Sequence, residues 1–202
     1  MQIPPGRAGR LWLQRRLEAA ERSADVLDQK RQALVELERS LAKELRSAEA
    51  AWEAASRDAG VWLSRALTLS GPARLDLVAH YTPAAHVDVR RQNRLGVRYP
   101  AMAEVQLPPQ EDTTALGGSS AVHGAVEAHR QALSAGAELA RARTAHAAVE
   151  AELASVVRRR RAIERRWVPR HERALDQLEL SLDEGEREDL LRLLWFTGEA
   201  QP

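Results

Sequence analysis

The residues best suited to chemistry are a run of four arginines, Arg158-Arg159-Arg160-Arg161, six histidines and a glycine pair, Gly117-Gly118. An arginine run suits a polyanion. Four consecutive residues on a helix point to all sides of it, however, and Glu150, Glu152, Glu164 and Glu172 lie close by in sequence. No single basic stripe results, so a solvated face or a protein contact is expected there, and no nucleic-acid partner. Two histidines that share a metal from one helix face stand four residues apart. His123 and His129 are six apart, as are His80 and His86, so no metal site is expected. Gly117-Gly118 is not followed by the Gly-Lys-Ser/Thr that would hold a phosphate and Mg²⁺, so no nucleotide or other cofactor is expected. No Ser/His/Asp arrangement can be argued, and the absence of Cys excludes disulfides and thiolate metal sites. The expectation is a chain with no catalytic residues of its own.

The elements that would carry these residues explain why. Of 202 residues only 4% are aromatic, while 29% are charged, and the formal net charge is +1. That composition fits long helices with a narrow seam better than a thick globular core, and it argues against binding polyanions by bulk charge. Almost all the basic residues are Arg, which carries little functional weight. Met1 to Gly9 has no apolar stretch long enough for a signal peptide. No run approaches the roughly 20 apolar residues of a membrane-spanning helix, so direct membrane insertion is not expected.

A first helix is expected over 10–69. Leu13, Ala20, Leu27, Leu34, Leu41, Ala48 and Ala55 repeat in sevens, and Leu17, Ala24, Leu45, Trp52 and Ala59 follow them four residues on. This is coiled-coil patterning, broken at Arg31 and Glu38, where Leu37 shifts the stripe. A helix of about 60 residues would be about 90 Å long, too long to lie buried in a globule. Gly71-Pro72 ends it. A connector over 70–120 contains a short β-hairpin at about 86–100. His86-Val87-Asp88-Val89-Arg90 and Val97-Arg98-Tyr99 alternate, Asn93-Arg94-Leu95-Gly96 makes the turn, and Pro100 closes the second strand. Ala103 to Leu107 is a further extended piece, and Pro108 to Ser120 has no recognisable pattern.

A second long helix is expected over 121–184. Ala128, Ala135, Ala142, Val149, Val156 and Ile163 repeat in sevens, with Ala125, Ala132, Leu139, His146, Leu153, Arg160 and Trp167 beside them. His146 on this stripe reads as a core histidine with a polar partner. Pro169 should kink the helix rather than stop it, since Leu175, Leu178 and Leu182 continue the stripe. A break at Asp183 to Glu186 and a C-terminal extension over 185–202 follow. Two long helices joined by a compact insert must pair antiparallel to hide their stripes, with Ala for close approach and Leu13, Leu41, Trp52 and Trp167 for bulk. The fold class is mainly α, an antiparallel two-helix coiled coil with a short β-hairpin insert, forming one elongated unit over 1–202.

Three segments in this order resemble a known family. They are Leu13-Gln14-Arg15-Arg16-Leu17 leading to Lys30-Arg31, the hairpin Asn93-Arg94-Leu95-Gly96-Val97-Arg98-Tyr99-Pro100, and Arg158-Arg159 with Ala162-Ile163-Glu164, Val168-Pro169-Arg170 and Leu182-Asp183-Glu184. Together they resemble the D-subunit family of the V/A-type (vacuolar/archaeal-type) rotary ATPases. The resemblance implies a central-stalk rotor shaft that couples ATP hydrolysis or synthesis to proton or sodium-ion translocation. The implied partners are the catalytic and non-catalytic subunits of a hexamer, a small α/β central-stalk subunit and a socket subunit that links to a membrane ring. The location implied is cytoplasmic and peripheral to the membrane. Partner contacts are expected at Arg10, Arg15, Arg16, Trp167, Arg170 and His171, inside the hexamer, and at Val87, Val97 and Tyr99 near the small partner. The alternative is a non-rotary coiled-coil adaptor or tether. The F-type central stalk has a larger α/β insert than the segment from Gly71 to Ser120 allows.

Overall fold

The computed structural model describes residues 3–109 and 119–198. In chain order the elements are α1 (Gly6–Ser70), α2 (Pro72–Tyr81), β1 (His86–Arg94), β2 (Val97–Gln106), α3 (Ser120–Ala162), a π-helical turn (Ile163–Trp167) and α4 (Val168–Gly198). The fold is mainly α, with long N- and C-terminal helices and one two-stranded antiparallel hairpin. Gly117-Gly118 lies outside the described residues. The contacts group the chain into two compact units, Ala33–Leu153, and Met1–Gln32 with Ala154–Pro202.

In the unit Ala33–Leu153 the seam follows the repeat in sevens. Leu34, Leu41 and Ala48 of α1 are buried, as are Ala128, Ala142 and Val149 of α3, with Leu37 taking the place that Glu38 leaves. The pairing is antiparallel, because partner numbers fall as residue numbers rise. Glu38 meets His146, Glu44 meets Arg141, and Ser70 meets Ser119. Bulk is matched to absence of bulk along this seam. A Cβ on Gly124 would come within 2.5 Å of the Trp62 ring, and one on Gly136 within 3.3 Å of Trp52.

Helix α2 is absent from the expectations, because Gly71-Pro72 reads only as a stop. Gly71 does end α1, with φ 76°, but Pro72 then starts a new helix. Proline is well suited to a first helical position, where its missing N–H would have no partner in any case. Val78 of α2 closes a small core with Ala66, Ala121, Val122 and Ala125, against which Trp62 and Leu75 pack.

The hairpin is longer than expected. Leu95 and Gly96 both have positive φ, 55° and 78°, as a two-residue hairpin turn of the primed type needs. Pro100 does not close β2. The strand runs on to Gln106, and the Ala103–Leu107 piece is its continuation, pairing back to Val89 and His86. The register shifts between Arg90, opposite Met102, and Arg91, opposite Pro100. A proline has no N–H for the ladder, and a bulge is where a strand tolerates that loss. The buried side changes across the bulge. Val97 and Tyr99 are buried at the turn end, whereas Ala103 and Val105, on the opposite face by register, are half-buried beyond it.

In the other unit the pairing is again antiparallel. Arg7 meets Glu186, Arg10 meets Glu179, and Asp28 meets Arg160. Leu13, Ala20 and Val156 are buried. Ahead of Pro169 the helix widens into the π turn, where the Val168 N–H donates to the Ile163 carbonyl five residues back. The wider turn gives room to a proline ring that would strike the carbonyl of the preceding turn. It also absorbs one extra residue. Seven residues after Ile163 comes Arg170, which is exposed, while His171 is buried and Leu178 half-buried in its stead. The expected break at Asp183 to Glu186 does not occur, since α4 continues to Gly198. One glycine in a helix costs only about 1 kcal/mol. Here Glu186 is also held by Arg7 at 2.8 Å, and Arg192 reaches Glu188 one turn back at 3.4 Å.

Candidate functional site

No enclosed reactive centre emerges from the side chains of the described residues. Among the described residues no group of three or more His, Asp or Glu is placed to hold a metal ion. The histidines are spent locally. His80 sits edge-on to Tyr81, His86 pairs with Asp88 at 3.3 Å, and the His129 ring bonds the Ala125 carbonyl at 2.7 Å. His146 is the seam histidine with a polar partner that its position suggests. Its Nε2 lies 2.9 Å from Glu38 Oε1.

The charged groups of the seam form two clusters. In the unit Ala33–Leu153 the buried Arg141 donates to Glu138 and Glu44, each at 2.8 Å. The Glu138 hydrogen bond holds its guanidinium above the usual arginine pKa against the opposing cost of burial, with Glu44 adding to the effect. A buried charge is tolerated only when paired in this way. In the other unit Asp28 accepts from Arg31 at 3.0 Å, from Gln32 at 2.8 Å and from Arg160. The Arg31 hydrogen bond leads in lowering its carboxyl pKa, so the folded state gains from this group above the usual carboxylate range and loses that gain as pH falls through it. Arg160, tied also to Glu164 at 2.8 Å, is thereby withdrawn from the arginine run, and Arg158, Arg159 and Arg161 stay exposed on separate sides.

The residues expected to touch partners are placed unequally. Arg10 pairs with Glu179 at 2.9 Å, Arg15 is exposed, and Arg16 lies over the Trp12 ring at 4.5 Å. Arg170 is exposed and lines a cleft with Ile3 and Arg173. Trp167 is half-buried and stacks on His171 at 3.6 Å. His171 is buried, its Nδ1 donating to the Trp167 carbonyl at 2.8 Å while Nε2 has no partner. Of the hairpin residues, Val87 is exposed, but Val97 and Tyr99 are buried within the chain. Alternation along a strand does not reveal which face is covered, and a bulge reverses the answer partway along.

Two surfaces escape the sequence reading. At the end of α4, Leu190, Leu191, Leu193, Leu194, Trp195 and Phe196 are all more than half exposed. Six apolar side chains within seven consecutive positions cover every side of a helix, which is the pattern of a helix enclosed all round. The signal was present as a dense apolar run, but a stripe search looks for one face. The second surface is the hairpin. Arg91 and Arg98 line a groove of about 550 Å³ together with Val87, Val89 and Pro100, whose other wall is α3 at Ala132, Gly136 and Ala140 with Trp52 of α1. Arg90 reaches Glu104 at 3.7 Å, while Arg91, Arg94 and Arg98 have no acidic partner among the described residues.

Comparison with known proteins gives a consistent result. The model of the ATP synthase D-subunit family matches residues 11–197. The chain is 29% identical over 207 residues to the D subunit of the A-type ATP synthase of Pyrococcus furiosus, spanning 96% of this chain and 92% of that one. It is 28% identical over 208 residues to the corresponding A-type ATP synthase D subunit of Pyrococcus abyssi, at the same coverage of 96% and 92%. The A-type ATP synthase D subunit of Methanopyrus kandleri is 29% identical over 213 residues, with 95% of this chain and 84% of that one covered.

Proposed function

The chain belongs to the ATP synthase D-subunit family, and on that premise we propose that it is the central shaft of a rotary ATPase, turning within a hexamer of catalytic and non-catalytic subunits. It carries no catalytic group itself. It couples ATP hydrolysis or synthesis in that hexamer to proton or sodium-ion movement through a membrane ring, which it reaches through a small α/β partner and a socket protein. Its location is cytoplasmic and peripheral to the membrane, and no described helix is long and apolar enough to cross a bilayer.

The observation that supports this reading best is the end of α4. Apolar side chains on every side suit a bearing that surrounds the helix, whereas an adaptor docking laterally needs only one apolar face. The clustered seam charges suit it too. Arg141 with Glu44, and Asp28 with Arg160, bind one helix to the other against relative sliding. Paired helices resist bending and twisting better than one helix alone.

The test is rotation. The chain has no Cys, so a single cysteine introduced at exposed Ala84 gives a unique attachment point on this chain for a bead or a fluorophore. In the purified complex, fixed through its hexamer, ATP should drive stepwise turning of that marker. A marker that stays still while the complex hydrolyses ATP would reject the shaft and favour the tether.

A further inference from the structure

The guanidinium groups at the turn end of the hairpin are not balanced by the fold. Arg91, Arg94 and Arg98 lie within eight consecutive residues of one short ribbon, all exposed, and none has an acidic partner among the described residues. The hairpin's own carboxylates are engaged further along. Asp88 accepts from Gln106 at 2.7 Å and lies 3.3 Å from His86, and Glu104 faces Arg90 at 3.7 Å. Arg22 and Arg57, also exposed, each lie within reach of a carboxylate one turn away, Glu18 and Glu53. Like charges gathered without counter-charge weaken a fold through repulsion. Such an arrangement gains from a partner that supplies the missing carboxylates.

From this we infer that the turn end of the hairpin docks an acidic, partly apolar segment of another protein in the assembly. The chemistry around the arginines selects protein over the other polyanions. Base stacking on single-stranded nucleic acid needs exposed aromatic rings, and Tyr99, the hairpin's single Phe, Tyr or Trp, is 2% exposed. Arg91 and Arg98 open instead onto apolar side chains, while Arg94, opposite Val97, lies on the other face of the ribbon. Val87 and Val89 are 40% and 51% exposed, and they share the groove with Arg91, Arg98 and Pro100. By the register of the ribbon these residues lie on one face, with Arg98 opposite Asn93 and Pro100 opposite Arg91. An apolar floor with cations at one end fits a segment with carboxylates at one end and aliphatic side chains beside them. The inference rests on the chain working inside an assembly, and it holds whether or not the chain turns there.

The experiment uses the intact complex. A photo-reactive benzophenone is attached to a single cysteine at Asn93, which is exposed and lies opposite Arg98 on the groove face, and the adducts are mapped by mass spectrometry. The expected adduct is a peptide of a neighbouring protein rich in Asp and Glu. In the R91E/R94E/R98E variant its yield should fall at least tenfold, and reversing the mapped carboxylates to Lys in that background should restore it. R91Q/R94Q/R98Q should give an intermediate yield, since it removes attraction without adding repulsion. The hairpin of each variant is checked by amide exchange along β1 and β2, so that an unfolded ribbon is not mistaken for lost docking. Adducts to lipid or nucleic acid, to a segment without carboxylates, or only within the chain itself would overturn the inference. So would a yield unchanged by charge reversal. A complex that rotates yet gives any of these overturning results would sink the docking surface and leave the shaft intact.

Discussion

The two units of this chain treat their apolar side chains in opposite ways. In Ala33–Leu153 the helices close on each other. Leu34 and Val149 are fully buried, Trp62 packs against Gly124, α2 adds buried Val78, and the turn end of the hairpin adds Val97 and Tyr99. In the unit formed by Met1–Gln32 and Ala154–Pro202 burial is sparse. Leu13, Ala20, Val156 and His171 are covered, but past His171 every described residue of α4 is half-buried or exposed. Exposed apolar groups occur in both units, among them Leu69, Val87 and Val89 in the first and Leu190 and Phe196 in the second, but the second gathers them on every side of one helix. The contrast separates positions that determine folding from positions that determine assembly.

That contrast can be broken most sharply at Leu34. Leu34→Ala should destabilise the isolated chain by about 2–5 kcal/mol through lost burial and a residual cavity, seen as a fall in the thermal midpoint. A shift below about 1 kcal/mol would mean that the seam is loosely packed. The next largest effect is expected at Gly124. Gly124→Leu drives a side chain into the Trp62 ring and should cost about 1–3 kcal/mol, measured by denaturant unfolding, whereas the same change at the open Gly60 should be close to neutral or slightly stabilising. A gain is predicted at Leu95. This residue holds a left-handed backbone that a branched aliphatic side chain disfavours. Leu95→Asn should stabilise the hairpin by about 0.5–1 kcal/mol, read from slower amide exchange along β1 and β2. The smallest effect on folding belongs to the end of α4. Trp195→Ser with Phe196→Ser should move stability by less than about 0.5 kcal/mol while lowering recovery of the chain with its ATPase partners. Equal losses of stability and recovery would erase the distinction between the units.

Much of the fold was readable from residue periodicity. The seam positions Leu34, Leu41, Ala48, Ala128, Ala142 and Val149 are buried as the repeat in sevens requires. His146 has its carboxylate partner because a polar residue on an apolar stripe needs one. What was not readable depends on contacts remote in sequence. Proline at a first helical position looks the same as proline ending a helix, so α2 was hidden behind Gly71-Pro72. The bulge beside Pro100 reverses which face of the ribbon is covered, so Val97 and Tyr99 turned out to be interior. The candidate surfaces were the least legible part. Three unbalanced arginines are recognisable only once the hairpin's register shows which carboxylates are already engaged.

The π turn before Pro169 has a consequence for how the chain tolerates changes in length. Elsewhere in a long helix the loss of one codon rotates everything downstream by about 100° and turns the buried stripe outward. Ile163–Trp167 already holds one residue more than an α-helical turn needs. Deleting one residue there would use up that surplus, and Leu178 and Leu182 would keep their side of the helix. The turn is thus a point of slack in an otherwise strict count, where chains of this family could differ by one residue and still bring the same faces together.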